Sequence, residues 1–269
     1  MKIHNQDLSK FSTIRTSSYT DYYCEPNSVS ELIEAMEFKN NNNLSIRILG
    51  NGSNILFSKK HYSNILFIKL SGSFDFLNIN ESNIEIGAAY PLKAAGKKLI
   101  KSGYEDYIFF NLIPATIGGA ITQNAGTGVN EEIKDLCLSI KVLDTKNNEE
   151  LIFSKEEFEF DYRNSIIKKS RGRYIVLSGI FNNQNITTDI DDLVLRTRDR
   201  ISEKVNREPI GYSFGSTFKN NSLPAWKCIE KIIESLDRNN NIFYSNKHYN
   251  WIINSNKGSG EDALDIIKQ

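Results

Sequence analysis

Along the chain, apolar residues switch between helical and alternating spacing, and the switches mark out short elements. Val29, Leu32, Ile33 and Met36 recur three or four apart behind a Ser28 and Glu31 capping pair, which predicts a helix over residues 29–38. Ile46-Arg47-Ile48-Leu49 reads as a short buried strand. It runs into Gly50-Asn51-Gly52-Ser53-Asn54 and then a second apolar run, Ile55-Leu56-Phe57, so the pattern is strand-loop-strand. Further strand patterns cover residues 65–67, 74–79 and 84–88, and Pro91 opens a helix toward Ser102 with Leu92, Ala95 and Leu99 on one face. A Gly118-Gly119 pair opens a short apolar segment, after which residues 137–143, 151–153 and 174–181 run or alternate as strands do.

A polar gap from Asn182 to Asp189 fits a boundary between two lobes, and an amphipathic helix over residues 190–205 follows it. Beyond it the pattern predicts a strand at 216–219, a helix over 225–236, a strand at 251–254 and a last helix from Gly260. Helices and strands in this mixed order indicate an α+β fold. No internal repeat is found, and no G-x-G-x-x-G follows a strand, which argues against a Rossmann-type nicotinamide domain.

Composition narrows the function classes. A chain of 269 residues can hold two or three small domains, and 33 basic against 33 acidic residues give no electrostatic case for nucleic acid or an anionic membrane surface. There is no membrane-length apolar run, and the start, Met1-Lys2-Ile3-His4-Asn5, lacks the apolar core of a signal peptide, so a cytoplasmic protein is expected. Cys24, Cys137 and Cys228 are odd in number and widely spaced, which favours free buried thiols over disulfides or zinc. With only His4, His61 and His248 available, neither a histidine-built metal site nor a Ser-His-Asp triad is supported.

The candidate chemistry lies in the glycine-rich loops. In residues 113–126, Gly118 and Gly119 lack the Cβ that would hold a ligand away, and the amides of a new helical turn carry partial positive charge suited to a diphosphate. A tight turn or close helix packing explains the same glycines, and Asn51-Gly52 alone could be a hairpin turn. Two such loops together point to a long, diphosphate-bearing ligand. Arg163, within Asp161-Tyr162-Arg163-Asn164-Ser165, is the residue type that grips a carboxylate with two parallel bonds, although a surface or salt-bridged arginine is the plainer alternative. Ser216 follows Gly215 where a hydroxyl could be presented to a ligand, and most such serines close a turn. His248 reads as a packing residue before it reads as a catalyst.

Taken in order, Leu49-Gly50-Asn51-Gly52-Ser53-Asn54, Ile113-Pro114-Ala115-Thr116-Ile117-Gly118-Gly119, Asn124-Ala125-Gly126, Tyr162-Arg163-Asn164-Ser165 and Gly215-Ser216-Thr217-Phe218-Lys219-Asn220 resemble the motif series of the UDP-N-acetylenolpyruvoylglucosamine reductases. The resemblance runs from Phe11 to the end, with Ser245-Asn246-Lys247-His248 and Asn254 as late landmarks. It implies a two-subdomain FAD-binding fold of the vanillyl-alcohol oxidase type, over residues 1–70 and 71–186, followed by an α+β substrate-binding domain over 187–269. It also implies noncovalent FAD, since Ser53 and Asn54 stand where flavin-linked relatives carry a histidine. Leu49, Gly50, Asn51, Gly52, Ser53, Asn54, Pro114, Thr116, Gly118, Gly119, Asn124, Ala125 and Gly126 are thereby expected at the cofactor, and Tyr162, Lys219 and Asn220 at a UDP-sugar. NADPH is the implied reductant, Arg163 the implied stabiliser of a developing enolate and Ser216 the implied proton donor, in a monomer that binds neither nucleic acid nor membrane. The family's third catalytic residue, a glutamate in a strand after the last helix, would follow Gln269, where this chain stops. Three readings stay open: the enolpyruvyl reductase, a paralogous flavoenzyme acting on a related sugar-nucleotide alkene, and a non-catalytic FAD- or nucleotide-binding homologue.

Overall fold

The computed structural model describes residues 1–128, 131–233, 241–255 and 258–269. In chain order its strands are β1 (His4–Asp7), β2 (Tyr19–Cys24), β3 (Ser45–Ile48), β4 (His61–Ile68), β5 (Leu77–Ile79), β6 (Ile84–Gly87), β7 (Cys137–Asp144), β8 (Glu149–Ser154), β9 (Tyr174–Phe181), β10 (Ile242–Tyr244) and β11 (Ile252–Asn254). Its helices are α1 (Val29–Asn41), α2 (Leu92–Lys101), α3 (Ile117–Thr122), α4 (Ile133–Leu136), α5 (Ile166–Lys169), α6 (Ile190–Arg207), α7 (Ala225–Glu230) and α8 (Gly260–Lys268). The fold is α+β, and the chain gathers into two compact units: residues 1–3, 24–50 and 66–202 form the first, and 4–23, 51–65 and 203–269 the second. Among the described residues no helix is long and apolar enough to cross a membrane.

In the first unit a five-stranded sheet has the order β5-β6-β9-β7-β8, with every neighbouring pair antiparallel. β9 is buried along almost its whole length, so its apolar run is continuous, whereas edge strand β8 leaves Ile152 67% exposed. Helix α3 lies on β9 because Gly179 has no side chain; a Cβ there would come within 2.8 Å of Ile121 Cδ1. Leu92, Ala95 and Leu99 of α2 are buried, as their spacing requires, against a 3₁₀ segment, Glu105–Leu112. Helix α1 starts at Ser28, whose hydroxyl accepts the Glu31 amide at 3.3 Å, and it buries Leu32, Ala35 and Met36. β3 lies beside the end of β4, where the Leu49 amide bonds the Ile68 carbonyl at 2.7 Å.

The second unit pairs β1 with β2 and β10 with β11, both antiparallel. Ile14, Phe214, Ile242, Ile252, Ala263 and Ile266 form its core, which draws on widely separated stretches of chain.

Several segments depart from the sequence pattern. Residues 55–57 are not a strand, because side chains take the place of a partner strand. Ser12 Oγ donates to the Ile55 carbonyl at 2.5 Å, Thr16 Oγ1 to that of Phe57 at 3.3 Å and Ser18 Oγ to that of Lys59 at 2.9 Å. These hydroxyl residues are themselves buried. Of residues 74–79 only β5 is extended, since Gly72, at φ +58°, starts a 3₁₀ turn that carries Phe74 into the core. Residues 216–219 form no strand: Ser216 bridges Trp251, and the Thr217 and Phe218 amides bond the Asn250 main-chain and side-chain oxygens. α7 stops at Glu230, and residues 234–236 of the expected helix lie outside the described residues. Cys24 and Cys137 are buried, but Cys228 is exposed on α7.

Candidate active site

The first glycine loop is shaped by close approaches. A Cβ on Gly50 would come within 2.7 Å of Thr116 Oγ1, so that glycine lets the two glycine-bearing segments touch. Gly52 has φ +69°, and a Cβ there would fall 1.9 Å from the Phe11 carbonyl oxygen. The Gly52 carbonyl is pinned in turn by the Thr13 amide at 3.1 Å and the Thr13 hydroxyl at 3.3 Å. The amides of Asn51, Gly52, Ser53 and Asn54 find no acceptor among the described residues. Successive free amides around a left-handed glycine form a concavity suited to an anion, so these residues fit a diphosphate. Leu49, by contrast, is a core residue.

The second segment is built differently from its sequence reading. The Ile117 amide bonds the Tyr90 carbonyl at 3.0 Å, the Gly118 amide that of Ala88 at 2.9 Å and the Gly119 amide the Thr116 hydroxyl at 3.3 Å. The first donors of α3 therefore already have protein acceptors. Its glycines serve contact instead, since a Cβ on Gly118 would stand 3.1 Å from that of Ala88. Pro114, just upstream, is exposed.

Asn124 is wholly buried in a left-handed conformation, φ +41°. Its Nδ2 donates to Glu132 Oε2 at 3.0 Å and to the Asp161 carbonyl at 3.1 Å, while its Oδ1 accepts the Lys134 amide at 3.0 Å. Ala125 continues the brace, its amide bonding the Ala120 carbonyl at 2.8 Å and its carbonyl the Ile133 amide at 2.9 Å. Arg163 occupies the corner of a tight turn closed by Asp161 and Asn164, with φ +55°. Its Nη1 donates to the Asn124 carbonyl at 3.1 Å and to Glu132 Oε1 at 3.4 Å, and its Nη2 to the Gly126 carbonyl at 2.7 Å. Nε has no acceptor among the described residues, and the guanidinium carbon lies 5.3 Å from the centre of the half-exposed Tyr162 ring. The structure thus gathers Asn124, Gly126, Tyr162 and Arg163 in the first unit.

In the second unit Ser216 is exposed, and Gly215, at φ +83°, lies against the first loop: its Cβ position is 3.9 Å from the Ser53 carbonyl oxygen. The Thr217 hydroxyl is buried and has no partner among the described residues. Asn220 Oδ1 accepts the Ala225 amide at 3.0 Å and so anchors the start of α7, while Lys219 is exposed. Buried Asn250 holds both sides of this segment through the Phe218 amide and carbonyl, each at 2.9 Å. His248 Nδ1 accepts the Asn250 amide at 3.3 Å, and burial holds its imidazole below the usual histidine range, so it is a turn residue. Lys247 Nζ donates to the Val205 and Glu208 carbonyls at 3.3 and 2.8 Å.

Glu132, Thr13 and Asn250 are central to this geometry and carry no motif. Their roles arise from contacts across the fold that no local periodicity encodes.

A family model described as an FAD binding domain matches residues 20–152. The UDP-N-acetylenolpyruvoylglucosamine reductase of Clostridium novyi (strain NT) is 32% identical over 277 residues, covering 99% of this chain and 85% of the relative. That of Clostridioides difficile (strain 630) is 29% identical over 270 residues, covering 98% and 85%. Among solved structures, the reductase from Thermus caldophilus superposes with a TM-score of 0.85 at 23% identity, covering 100% of this chain and 94% of that one, which shows a shared fold.

Proposed function

Because the chain belongs to the UDP-N-acetylenolpyruvoylglucosamine reductase family, we propose that it performs the family's reaction, FAD-dependent reduction of the enolpyruvyl group of UDP-N-acetylglucosamine enolpyruvate to UDP-N-acetylmuramate, with NADPH as reductant. Bound FAD supplies the hydride relay from NADPH to the substrate alkene. Gly50 to Asn54 hold its diphosphate on the free amides of the loop, and Pro114, Thr116, Gly118, Gly119 and the stretch from Asn124 to Gly126 surround the flavin. This reading divides the chain into FAD subdomains over residues 1–70 and 71–186 and a substrate domain over 187–269, in a cytoplasmic monomer.

The observation that carries the reading is the Arg163 guanidinium. Nη1 and Nη2 are fastened to main-chain carbonyls, and Nε is left without a protein acceptor among the described residues. A guanidinium fixed along one edge presents the other to a carboxylate. Hydride addition at the methylene carbon puts negative charge on the adjacent carbon and its carboxylate, and Arg163 stabilises that charge without reorganising. Ser216 Oγ delivers the proton to that carbon; the residue is exposed, and its neighbour Gly215 lies against Ser53 of the first loop, which supports this role. Tyr162, Lys219 and Asn220 line the sugar-nucleotide side.

The purified protein should be yellow, bleach when NADPH is added anaerobically and regain colour with the enolpyruvyl UDP-sugar. A protein that bleaches and stays bleached acts on another acceptor, and one that cannot be loaded with FAD refutes the reading.

A further inference from the structure

Glu132 lies outside every motif described above, yet its carboxylate is at the centre of the contacts around Arg163. Oε1 faces Arg163 Nη1 at 3.4 Å, and Oε2 accepts from Asn124 Nδ2 at 3.0 Å and faces Lys134 Nζ at 2.9 Å. The Arg163 Nη1 that meets Glu132 also bonds the Asn124 carbonyl, so Arg163, Asn124 and Glu132 form a closed ring of contacts. The ring is shielded, with the Glu132 side chain 13% and the Arg163 side chain 25% exposed. The Glu132 main chain is fixed as well, its amide bonding Asp135 Oδ2 at 2.9 Å at the start of α4. A carboxylate held at both oxygens helps define the direction of the guanidinium it faces, and removing it leaves the guanidinium held by the Asn124 and Gly126 carbonyls alone.

We propose that Glu132 is a positioning residue for the reductase reaction, setting the angle at which the Arg163 guanidinium meets the substrate carboxylate. The proposal rests on the functional reading above for the role of Arg163. It adds a residue that acts only through that arginine.

The test uses FAD-loaded protein reduced with dithionite, so that reoxidation alone is read. Glu132→Gln keeps an oxygen for Asn124 and removes the charge that faces Arg163. The saturated rate of reoxidation by the enolpyruvyl UDP-sugar should fall about tenfold, within the coupling that contacting residues show, while flavin reduction by NADPH is unaltered. In an Arg163→Ala background, where the residual rate is followed over hours, the same substitution should cause no further loss. The proposal is overturned by an unchanged rate in Glu132→Gln, by equal losses in both half-reactions, or by an undiminished effect in the Arg163→Ala background.

If the enolpyruvyl substrate does not reoxidise the wild-type protein, it is the functional reading that has failed. The positioning role is then read without turnover from the Arg163 side-chain NMR signals, assigned by their loss in Arg163→Lys. With Glu132 present Nη1 has two acceptors, and with only the Asn124 carbonyl left to it in Glu132→Gln the Nη1 proton resonances should shift and broaden, while those of Nη2, on the Gly126 carbonyl, stay in place. Nη1 resonances unchanged in the variant overturn the proposal.

Discussion

The carbonyl oxygen of Gly126 lies 2.7 Å from Nη2 of Arg163, which makes the Asn124-Ala125-Gly126 stretch the socket of an arginine. Gly126 allows this because its own backbone is tightly backed: a Cβ there would stand 2.2 Å from the Glu131 carbonyl oxygen. Glu131 is in turn held by Arg200 in a two-pronged pair, at 2.5 and 2.7 Å, and by the Thr127 hydroxyl at 2.8 Å. The support behind Arg163 is therefore a continuous set of contacts within the first unit.

Arg163→Lys separates charge from shape. Lysine keeps the cation and bears the same left-handed backbone cost, so the fold should be retained, but it cannot span the Asn124 and Gly126 carbonyls together. Removal of one preorganised donor from a developing oxyanion costs about 3 kcal/mol. Stopped-flow traces should show reoxidation by the enolpyruvyl substrate slowed roughly 10²-fold, with NADPH reduction close to wild type. Equal slowing of both phases would remove Arg163 from the role assigned to it.

Two glycines with positive φ should respond differently to alanine. At Gly52 a left-handed alanine costs roughly 1–2 kcal/mol and its Cβ would also strike the Phe11 carbonyl, so Gly52→Ala should lower the melting temperature and the flavin absorbance per protein. At Gly128, φ +84°, nothing among the described residues lies within 4 Å, so Gly128→Ala bears only the backbone strain and should stay yellow. Matching flavin content in the two variants would contradict the role given to the Gly52 loop.

A pair of serines separates chemistry from scaffold. Ser165 is fully buried, donates to the Thr122 carbonyl at 2.8 Å and accepts the Lys168 amide at 3.3 Å, so Ser165→Ala should cost about 1–3 kcal/mol in urea unfolding. Ser216 is exposed, and Ser216→Ala should leave stability within about 0.5 kcal/mol of wild type while blocking reoxidation. Normal reoxidation in Ser216→Ala would mean that another group supplies the proton.

Those contrasts also show what the sequence could reveal. Helix α1 was legible because a capping pair and helical spacing are local signals, and they end in a real cap and buried Leu32, Ala35 and Met36. The motif glycines could be found, but not their individual uses. The amides at the start of α3 are engaged by Tyr90, Ala88 and Thr116, whereas those at 51–54 have no acceptor among the described residues, and both stretches read as glycine-rich. Residues 55–57 look like a strand because their apolar pattern is that of one. The donors that replace a partner strand, Ser12, Thr16 and Ser18, sit some forty residues earlier in the chain, beyond the reach of any local pattern.

The thiols should divide by burial. Burial pushes the Cys24 thiol up to about 12 and raises that of Cys137 as well, so neither forms thiolate near neutrality, whereas Cys228 is exposed. A colorimetric disulfide reagent should titrate one thiol in the native protein and all three after denaturation. A second fast thiol in the native protein would show that the core around Cys24 or Cys137 opens readily.

Asp144 gives the stability a defined dependence on acid. It closes β7 and is 1% exposed, with Arg173 Nη2 at 2.9 Å, Arg173 Nε at 3.3 Å and the Lys146 amide at 3.0 Å. The Arg173 guanidinium holds its carboxyl below the ordinary carboxylate range, and the Lys146 amide adds to this against the opposing effect of burial. A carboxyl whose pKa is lower folded than unfolded stabilises the fold fully above the unfolded value, near about 4, and loses that contribution as pH falls through the folded one. Asp144→Asn keeps the size of the side chain and removes the charge, so its urea midpoint should lie below wild type at about pH 7, with the gap closing below about pH 4. A gap that stays constant across that range would mean the pair contributes shape and hydrogen bonds, while its charge is balanced by desolvation.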